Sequence, residues 1–430
     1  MISTHPLPKR LGLREATALV ISNVVGTGIF TVPAIVATMV PSVAAVLALW
    51  VAGGVLALCG ALSYGALAAR YPRAGGEYVY LREAIHPVAG FLSGWTSFVA
   101  GFSGAVAAGA MAVVAYVGFD LRDFRGRALA CAIILVFAAL HSFRLTLGAH
   151  LQSAVTLLNV GVLVLLCIGG LLTSASPTPA VSGTFTFSTL LVALVPIMFT
   201  YSGWNAAAYV AEEVEEPERN VGHALLIGTG LVIGLYLLVN IVYVMKIGIG
   251  GDPRLDIAAL IGQRAFGSLG ARVVQVFSIV IIAASVSAMT IAGPRVYFAM
   301  ARDGCFPRWV VSRDAKTQVP HAAIWLQALW SCLLVLSGTF EEVLLYTGFA
   351  VVLFSTAAVA TLVWMRGTSA GVLTAAGAFS AAGVGMLASA VIHAPKPSLL
   401  GVALIAAGLP VYWWSRRALG AAESVAGKLV

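Results

Sequence analysis

Charge is scarce in this chain: Asp, Glu, Lys and Arg make up 10% of its 430 residues, against 60% hydrophobic. So few charges cannot keep the surface of a soluble domain of this size in water, which excludes the soluble classes. The sequence has no phosphate-cradling Gly-rich loop, no CxxC pair and no defensible Ser/His/Asp order, which argues against ATP-driven pumping and covalent catalysis. The clustered acids or histidines that an intramembrane enzyme needs inside its spans are missing. So is a filter repeat of the kind that builds a channel pore. The five cysteines (Cys59, Cys131, Cys167, Cys305, Cys332) are odd in number and mostly inside apolar runs. They read as small core residues, neither a disulfide framework nor a metal site. His141, His150, His223 and His321 lie near span ends without metal-ligand spacing. No cofactor and no metal is expected.

What is present is apolar sequence, with a mean hydropathy of +0.97 in runs of about 20 residues from end to end. That predicts an all-α polytopic membrane protein with twelve spans, near 15–40, 43–69, 87–118, 127–144, 149–173, 188–213, 222–248, 268–301, 320–338, 342–365, 370–392 and 398–415. The segment 1–14 contains Pro6 and Pro8 and shows no cleavable signal, so the first span is expected to insert as it stands. Placing the N-terminus inside puts seventeen Lys and Arg on the cytoplasmic side against eight outside. Both termini are therefore expected in the cytoplasm, with the protein in the cytoplasmic membrane. Arg122, Arg125 and Arg127 run against this bias, and Asp120 and Asp123 only partly explain them. The net charge of +8 is then a topology signal with the bilayer as partner. It is not a nucleic-acid footprint.

Two spans are interrupted. The first carries Ser22-Asn23-Val24-Val25-Gly26-Thr27-Gly28-Ile29-Phe30, whose Gly-Thr-Gly opens a helix between apolar flanks. Backbone freed at membrane depth is tolerated only against protein or a watery cavity. The half-helix ends also aim free N–H groups and free C=O groups at one spot, which suits a small zwitterion. The other reading is a packing face of small residues. The sixth span carries Pro196, then Tyr201-Ser202-Gly203-Trp204-Asn205. Asn205 is a polar amide of the kind that marks functional sites in membranes; the alternative is a Pro-kinked helix with Asn205 bonded to a neighbouring backbone. Paired breaks that open two five-helix blocks are the sign of an inverted-repeat transporter with a midplane site.

At this point the chain resembles a known family. Gly26-Thr27-Gly28-Ile29-Phe30 is similar to the glycine-rich signature of the amino acid–polyamine–organocation (APC) permeases. Tyr201 to Asn205 with Ala211 to Asn220 resembles that family's span 6 and following loop, and Tyr297 to Gly304 its span 8 ending. The resemblance covers essentially the whole chain. It implies a LeuT-like 5+5 inverted repeat, with repeats at 15–173 and 188–365, peripheral spans in 370–415 and a cytoplasmic tail at 416–430. Carried over by position, a substrate carboxylate meets the N–H groups of Thr27 and Gly28, and an ammonium meets carbonyls of Val24, Phe199 and Ser202. Phe199 takes the place of an aromatic lid. Tyr201, Gly203, Trp204 and Asn205 belong to the same segment. Trp204 and Asn205 shape the side-chain pocket with Gly101, Ser103 and Met289, although ordinary helix packing accounts equally well for the last three.

Ion coupling is left open between H+, Na+ and none. Several proton-linked or sodium-independent relatives carry a span 5 lysine where this chain has Asn159, and an amide neither carries that charge nor titrates near neutral pH. A sodium site like that of sodium-coupled cousins would use carbonyls of Ser22, Val25 and Ala283 with Ser287. Val286 stands where a second hydroxyl belongs, which favours exchange or facilitated transport. Asn159 and Ser287 bonding each other or a water is the plainer alternative. Glu212, Glu213, Glu215 and Glu216 are either solvated or paired to loop arginines such as Arg302. A Cβ at Gly26 or Gly28 is expected to crowd the break. The named pocket residues include no side-chain charge, so neutral L-amino acids are the expected substrates. The second reading is proton- or sodium-coupled symport of cationic amino acids, amines or polyamines.

Overall fold

The computed structural model describes residues 7–26, 28–143, 145–172, 184–246, 257–312, 319–337, 340–393 and 395–415. Among them the chain is helical, with one isolated β-bridge between Leu11 and Val214. Helices α1 (Leu13–Val24) and α2 (Gly28–Met39) form a pair bent by 44°. The chain continues through α3 (Val43–Arg70), short α4 (Glu77–Ala84) and α5 (Pro87–Thr96). One wide π turn over Ser97–Gly101 joins α5 to α6 (Phe102–Val117). Then come α7 (Phe124–Phe143), α8 (Leu145–Leu172), α9 (Phe187–Thr200) and the single turn α10 (Ala206–Tyr209). The remainder is α11 (Pro217–Lys246), α12 (Ile257–Arg302), α13 (His321–Ser337), α14 (Phe340–Ala360), α15 (Ala370–His393) and α16 (Pro395–Ala406). Within α12 the helix breaks at Phe266 and Gly267, where φ is +64°.

Among the described residues eight helices are long and apolar enough to cross a membrane, nine when the bent pair counts as one. Phe187–Thr200, His321–Ser337 and Gly348–Trp364 are apolar but shorter. In a bilayer only helices or closed barrels satisfy their backbone internally, so a chain this apolar folds as helices. Large apolar side chains such as Leu157, Leu165, Leu172 and Leu231 remain on the outside, as a lipid-facing surface requires. The centre is built from α1, α2, α9, α10, α3, α6, α11 and α12, whose facing residues form one continuous buried cluster.

One end of the bundle is closed by charge. Glu213 and Arg295 are both about 1% exposed and pair at 2.7 Å. Arg302 meets Glu212 at 2.5 Å. Asp303 receives Arg73 at 2.9 Å, Tyr78 at 2.9 Å and Arg82. The N-terminal segment joins this layer, since the N–H groups of Arg10 and Leu11 both donate to the Glu213 carbonyl at 2.8 Å. Of the two readings of the glutamate cluster, pairing holds for Glu212 and Glu213, while Glu215 and Glu216 are exposed. The apposition of Arg295 and Glu213 joins α12 to the turn after α10, which sequence distance alone does not reveal.

A buried guanidinium stripped of its carboxylate is worse than no pair at all. Glu213→Ala should therefore lower stability by about 3–5 kcal/mol, read as an earlier thermal transition of the purified protein in detergent. Removing both charges together with Glu213→Leu and Arg295→Met should recover part of the loss.

Candidate functional site

The site begins where α1 and α9 stop. α1 is capped at Val25, whose N–H still reaches the Ile21 carbonyl at 2.8 Å. α2 starts at Gly28, and the amides of a first helical turn have no acceptor within their own helix. Thr27, expected to supply the other carboxylate-binding N–H, lies outside the described residues. Opposite, α9 ends at Thr200 and the chain passes through turns to α10. Gly203 takes φ +98° in that crossing. A Cβ there would sit 2.6 Å from the Asn23 carbonyl oxygen, so the two breaks touch backbone to backbone. Tyr236 of α11 ties them together by donating its hydroxyl to the Val24 carbonyl at 2.8 Å, with the Thr200 carbonyl at 3.4 Å. The Phe199 carbonyl accepts the Ser202 N–H at 3.0 Å. The Tyr201 N–H also reaches the Phe199 carbonyl at the end of α9.

Three cavities converge here. One of about 70 Å³ lies in the notch and is lined by Val24, Gly26, Gly28, Phe199, Thr200, Ser202, Ser285 and Met289. A second of about 180 Å³ touches Asn23, Gly101, Phe199, Ser202, Gly203, Asn205 and Met289 and runs on to Ser93, Thr96, Tyr209 and Glu77. A third of about 670 Å³ is lined by Gly28, Ile35, Tyr116, Val195, Phe199, Phe349 and Met386 and is almost wholly apolar. Phe199 is common to all three.

Other expected residues stand outside these walls. The Trp204 ring packs on Tyr64 (centroids 4.8 Å apart) and Phe379 (5.5 Å), away from the cavities. Tyr201 is buried, donates to the Trp50 carbonyl at 3.2 Å and stacks beside Tyr236. Ser103 is fully buried, and its carbonyl accepts the Ser331 hydroxyl at 3.0 Å. Trp204 and Ser103 therefore do not shape the side-chain pocket in this structure, because α6 and the second break turn them toward neighbouring helices.

Glu77 is the residue the sequence reading passed over. It lies between the expected spans 43–69 and 87–118, yet it is 5% exposed and lines the second cavity. Its Oε1 accepts Tyr64 Oη at 2.7 Å, Tyr209 Oη at 2.7 Å and Asn205 Nδ2 at 2.8 Å. Gly75 (φ +125°) and Gly76 (φ +53°) turn the backbone to insert it. That Gly-Gly pair, ahead of the apolar run Tyr78 to Leu81, was the available signal. The premise that no carboxylate reaches the pocket is thereby corrected. Burial pushes the Glu77 carboxyl above the usual range, against the lowering effect of Tyr64, Tyr209, its own backbone N–H and Asn205.

The residues considered for ion coupling are all buried or partly buried. Ser22 bonds Thr156 of α8. Ser287 pairs with His141 at 2.8 Å, so this histidine is a buried partner despite its place near a helix end. Ala283 packs beside Ala112 and Val113 of α6, and Val25 is buried without lining a cavity. Asn159 is 2% exposed, and neither amide atom has a hydrogen-bond partner among the described residues. Asn159 and Ser287 thus do not bond each other. The hydroxyl that faces the first break is that of Ser285, 3.5 Å from where a Gly26 Cβ would stand.

Gly26 and Gly28 also differ. A Cβ at Gly28 would approach Thr200 Oγ1 to 2.7 Å, whereas at Gly26 it meets only Ser285 at ordinary distance. Crowding of the fold therefore applies to Gly28 and not to Gly26. Gly28→Ala should lower both the melting temperature and the transport rate. Gly26→Ala should spare the melting temperature and reduce only transport, because its methyl enters the small cavity. Thermal unfolding and vesicle uptake measured on the same preparations check this.

Comparison with known proteins follows the geometry. The chain is 28% identical to the human b(0,+)-type amino acid transporter 1 over 383 residues, 85% of this chain and 77% of that protein. It is 31% identical to an uncharacterized transporter of Mycobacterium tuberculosis over 324 residues, 74% of this chain and 71% of the other. It is also 24% identical to the cystine/glutamate transporter of Pongo abelii over 374 residues, 84% and 74% of the two chains. The sequence pattern described as "Amino acid permease" matches residues 11–414, and the chain belongs to that family, within the APC superfamily.

Proposed function

We propose that this protein carries amino acids, chiefly neutral L-amino acids, across the cytoplasmic membrane by alternating access, as an exchanger or facilitator. The observation that carries the reading is the notch between two broken helices. There Gly28, at the start of α2, lines one cavity of about 70 Å³ with Val24, Phe199 and Ser202. A carboxylate is favoured at the N-terminal end of α2 and an ammonium at the carbonyl ends of α1 and α9. Phe199, common to three cavities, is placed to separate a bound substrate from the large apolar vestibule. The substrate side chain extends toward Gly101, Asn205 and Met289. The names of two relatives point the same way, one an amino acid transporter and the other a cystine/glutamate transporter.

Eight long helices, one bent pair and three shorter apolar helices are consistent with twelve spans. The two broken helices support repeats at 15–173 and 188–365 with 370–415 peripheral, both termini being cytoplasmic. Alternating access then consists of one repeat rocking against the other about the notch. The ion-pair layer of Arg73, Arg82 and Arg302 with Asp303 and Glu212 is the closed cytoplasmic gate. Glu77 in the cavity wall is the observation that favours the second reading, transport of cationic amino acids or amines.

Labelled leucine should enter vesicles that contain the pure protein and are preloaded with unlabelled leucine, and alanine and phenylalanine should compete. Competition by arginine equal to that by alanine would shift the assignment to the second reading. Replacing sodium with potassium should change the rate little, because Asn159 carries no charge and Ser287 is engaged by His141. A several-fold sodium stimulation lost in Ser287→Ala would contradict this.

A further inference from the structure

The other buried acids described above, and the partly buried Asp303, are each answered by a cation: Glu212 by Arg302, Glu213 by Arg295 and Asp303 by Arg73 and Arg82. Glu77 is in none of these ion pairs and meets only neutral donors. Tyr209 is the only other titratable side chain in the wall of its cavity among the described residues. Of the elements around it, α3 supplies Tyr64, the second break supplies Asn205 and Tyr209, its own helix supplies Tyr80, and α5 presents Ser93 and Thr96. The part of α14 that reaches the cavity, Gly348 to Phe354, contributes no titratable group. A lone carboxylate kept from water beside an apolar cavity costs several kcal/mol unless a positive charge joins it.

We propose that Glu77 is a proton-binding site of the transport cycle, taking up a proton on Oε2 when the cavity closes around a neutral amino acid. This rests on the transport reading above. All three side-chain donors converge on Oε1, so Oε2 is the oxygen to which the proton adds, arriving from the aqueous side. Protonation removes the negative charge that Oε1 shares, so the three hydrogen bonds it accepts lose their charge assistance and weaken, those from Asn205 and Tyr209 among them. Asn205 lies in the second helix break and also donates to Tyr209 at 2.8 Å, so proton uptake loosens the break that holds the substrate. The carboxyl, raised by burial, holds its proton at pH values where a solvated glutamate has lost it, and it releases that proton as the pH rises.

The test is leucine exchange with equal pH on both sides, followed from mildly acid to mildly alkaline, paired with infrared difference spectra of the purified protein on adding leucine. Wild-type exchange should fall several-fold as pH rises. Glu77→Gln, which is permanently neutral, should be flat, and Glu77→Asp should keep a slope. A protonated-carboxyl band should appear on adding leucine to wild type and be absent in Glu77→Gln. A Glu77→Gln protein with the wild-type pH slope, or with the band intact, overturns the proposal. If Glu77→Gln does not fold, Tyr209→Phe decides. Removing a donor to the charged form should move the midpoint to higher pH, and an unmoved midpoint overturns the proposal. Should wild type exchange no amino acid at any pH, the transport reading fails. Titration of the carboxyl band without substrate still shows whether Glu77 binds a proton.

Discussion

Backbone groups released from a helix inside a membrane have no water to turn to, and each costs several kcal/mol if left alone. This protein releases them twice, after Val24 and after Thr200, and the centre of the molecule is arranged to answer them. Gly203 brings the second break against the Asn23 carbonyl. Tyr236 spans both with one hydroxyl, held by ring contacts with Trp50 and Tyr201 at 6.0 and 5.2 Å. Between the two breaks lies a cavity of about 70 Å³ lined by Val24, Gly28, Phe199 and Ser202.

Charge is placed on the same logic. With few ionisable side chains, the fold concentrates them at one end, where arginines from three segments meet Asp303, Glu212 and Glu213. Such pairs add little net stability, since desolvation offsets the attraction. Glu77 stands apart. It is surrounded by phenols and an amide, which stabilise a carboxylate less than a guanidinium does, and it lines the second cavity.

Several features were legible beforehand because they are local. Gly26-Thr27-Gly28 interrupts an apolar run, and Pro196 with Ser202-Gly203 interrupts another. The first lies at a bend and the second at a turn between two helices. Other features were not. Ser285 and Ser287 are two residues apart and thus point to different sides of α12, and nothing in their neighbourhood says which faces the break. Trp204 is adjacent to Asn205, yet one ring goes to α3 and α15 while the other side chain enters the cavity. Asn159 was placed correctly in a span, but its lack of a partner is a property of the surrounding helices. Glu77 looked like a loop acid, because α4 is too short and polar to announce itself as a buried element.

The sequence by itself determined that this is an all-helical membrane protein with two interrupted helices, and its motifs pointed to the family. Hydropathy, helix-breaking residues and ordered motifs are read along the chain, with no knowledge of what lies opposite. Tertiary structure alone decided which glycine is crowded, which serine faces the break, which glutamates are paired and which one reaches the cavity. Those outcomes depend on how far each helix is rotated about its axis and how deeply each connecting segment is drawn in. Both are set by packing partners far along the chain, such as Asn205 for Glu77, 128 residues away, and Arg295 for Glu213, 82 residues away.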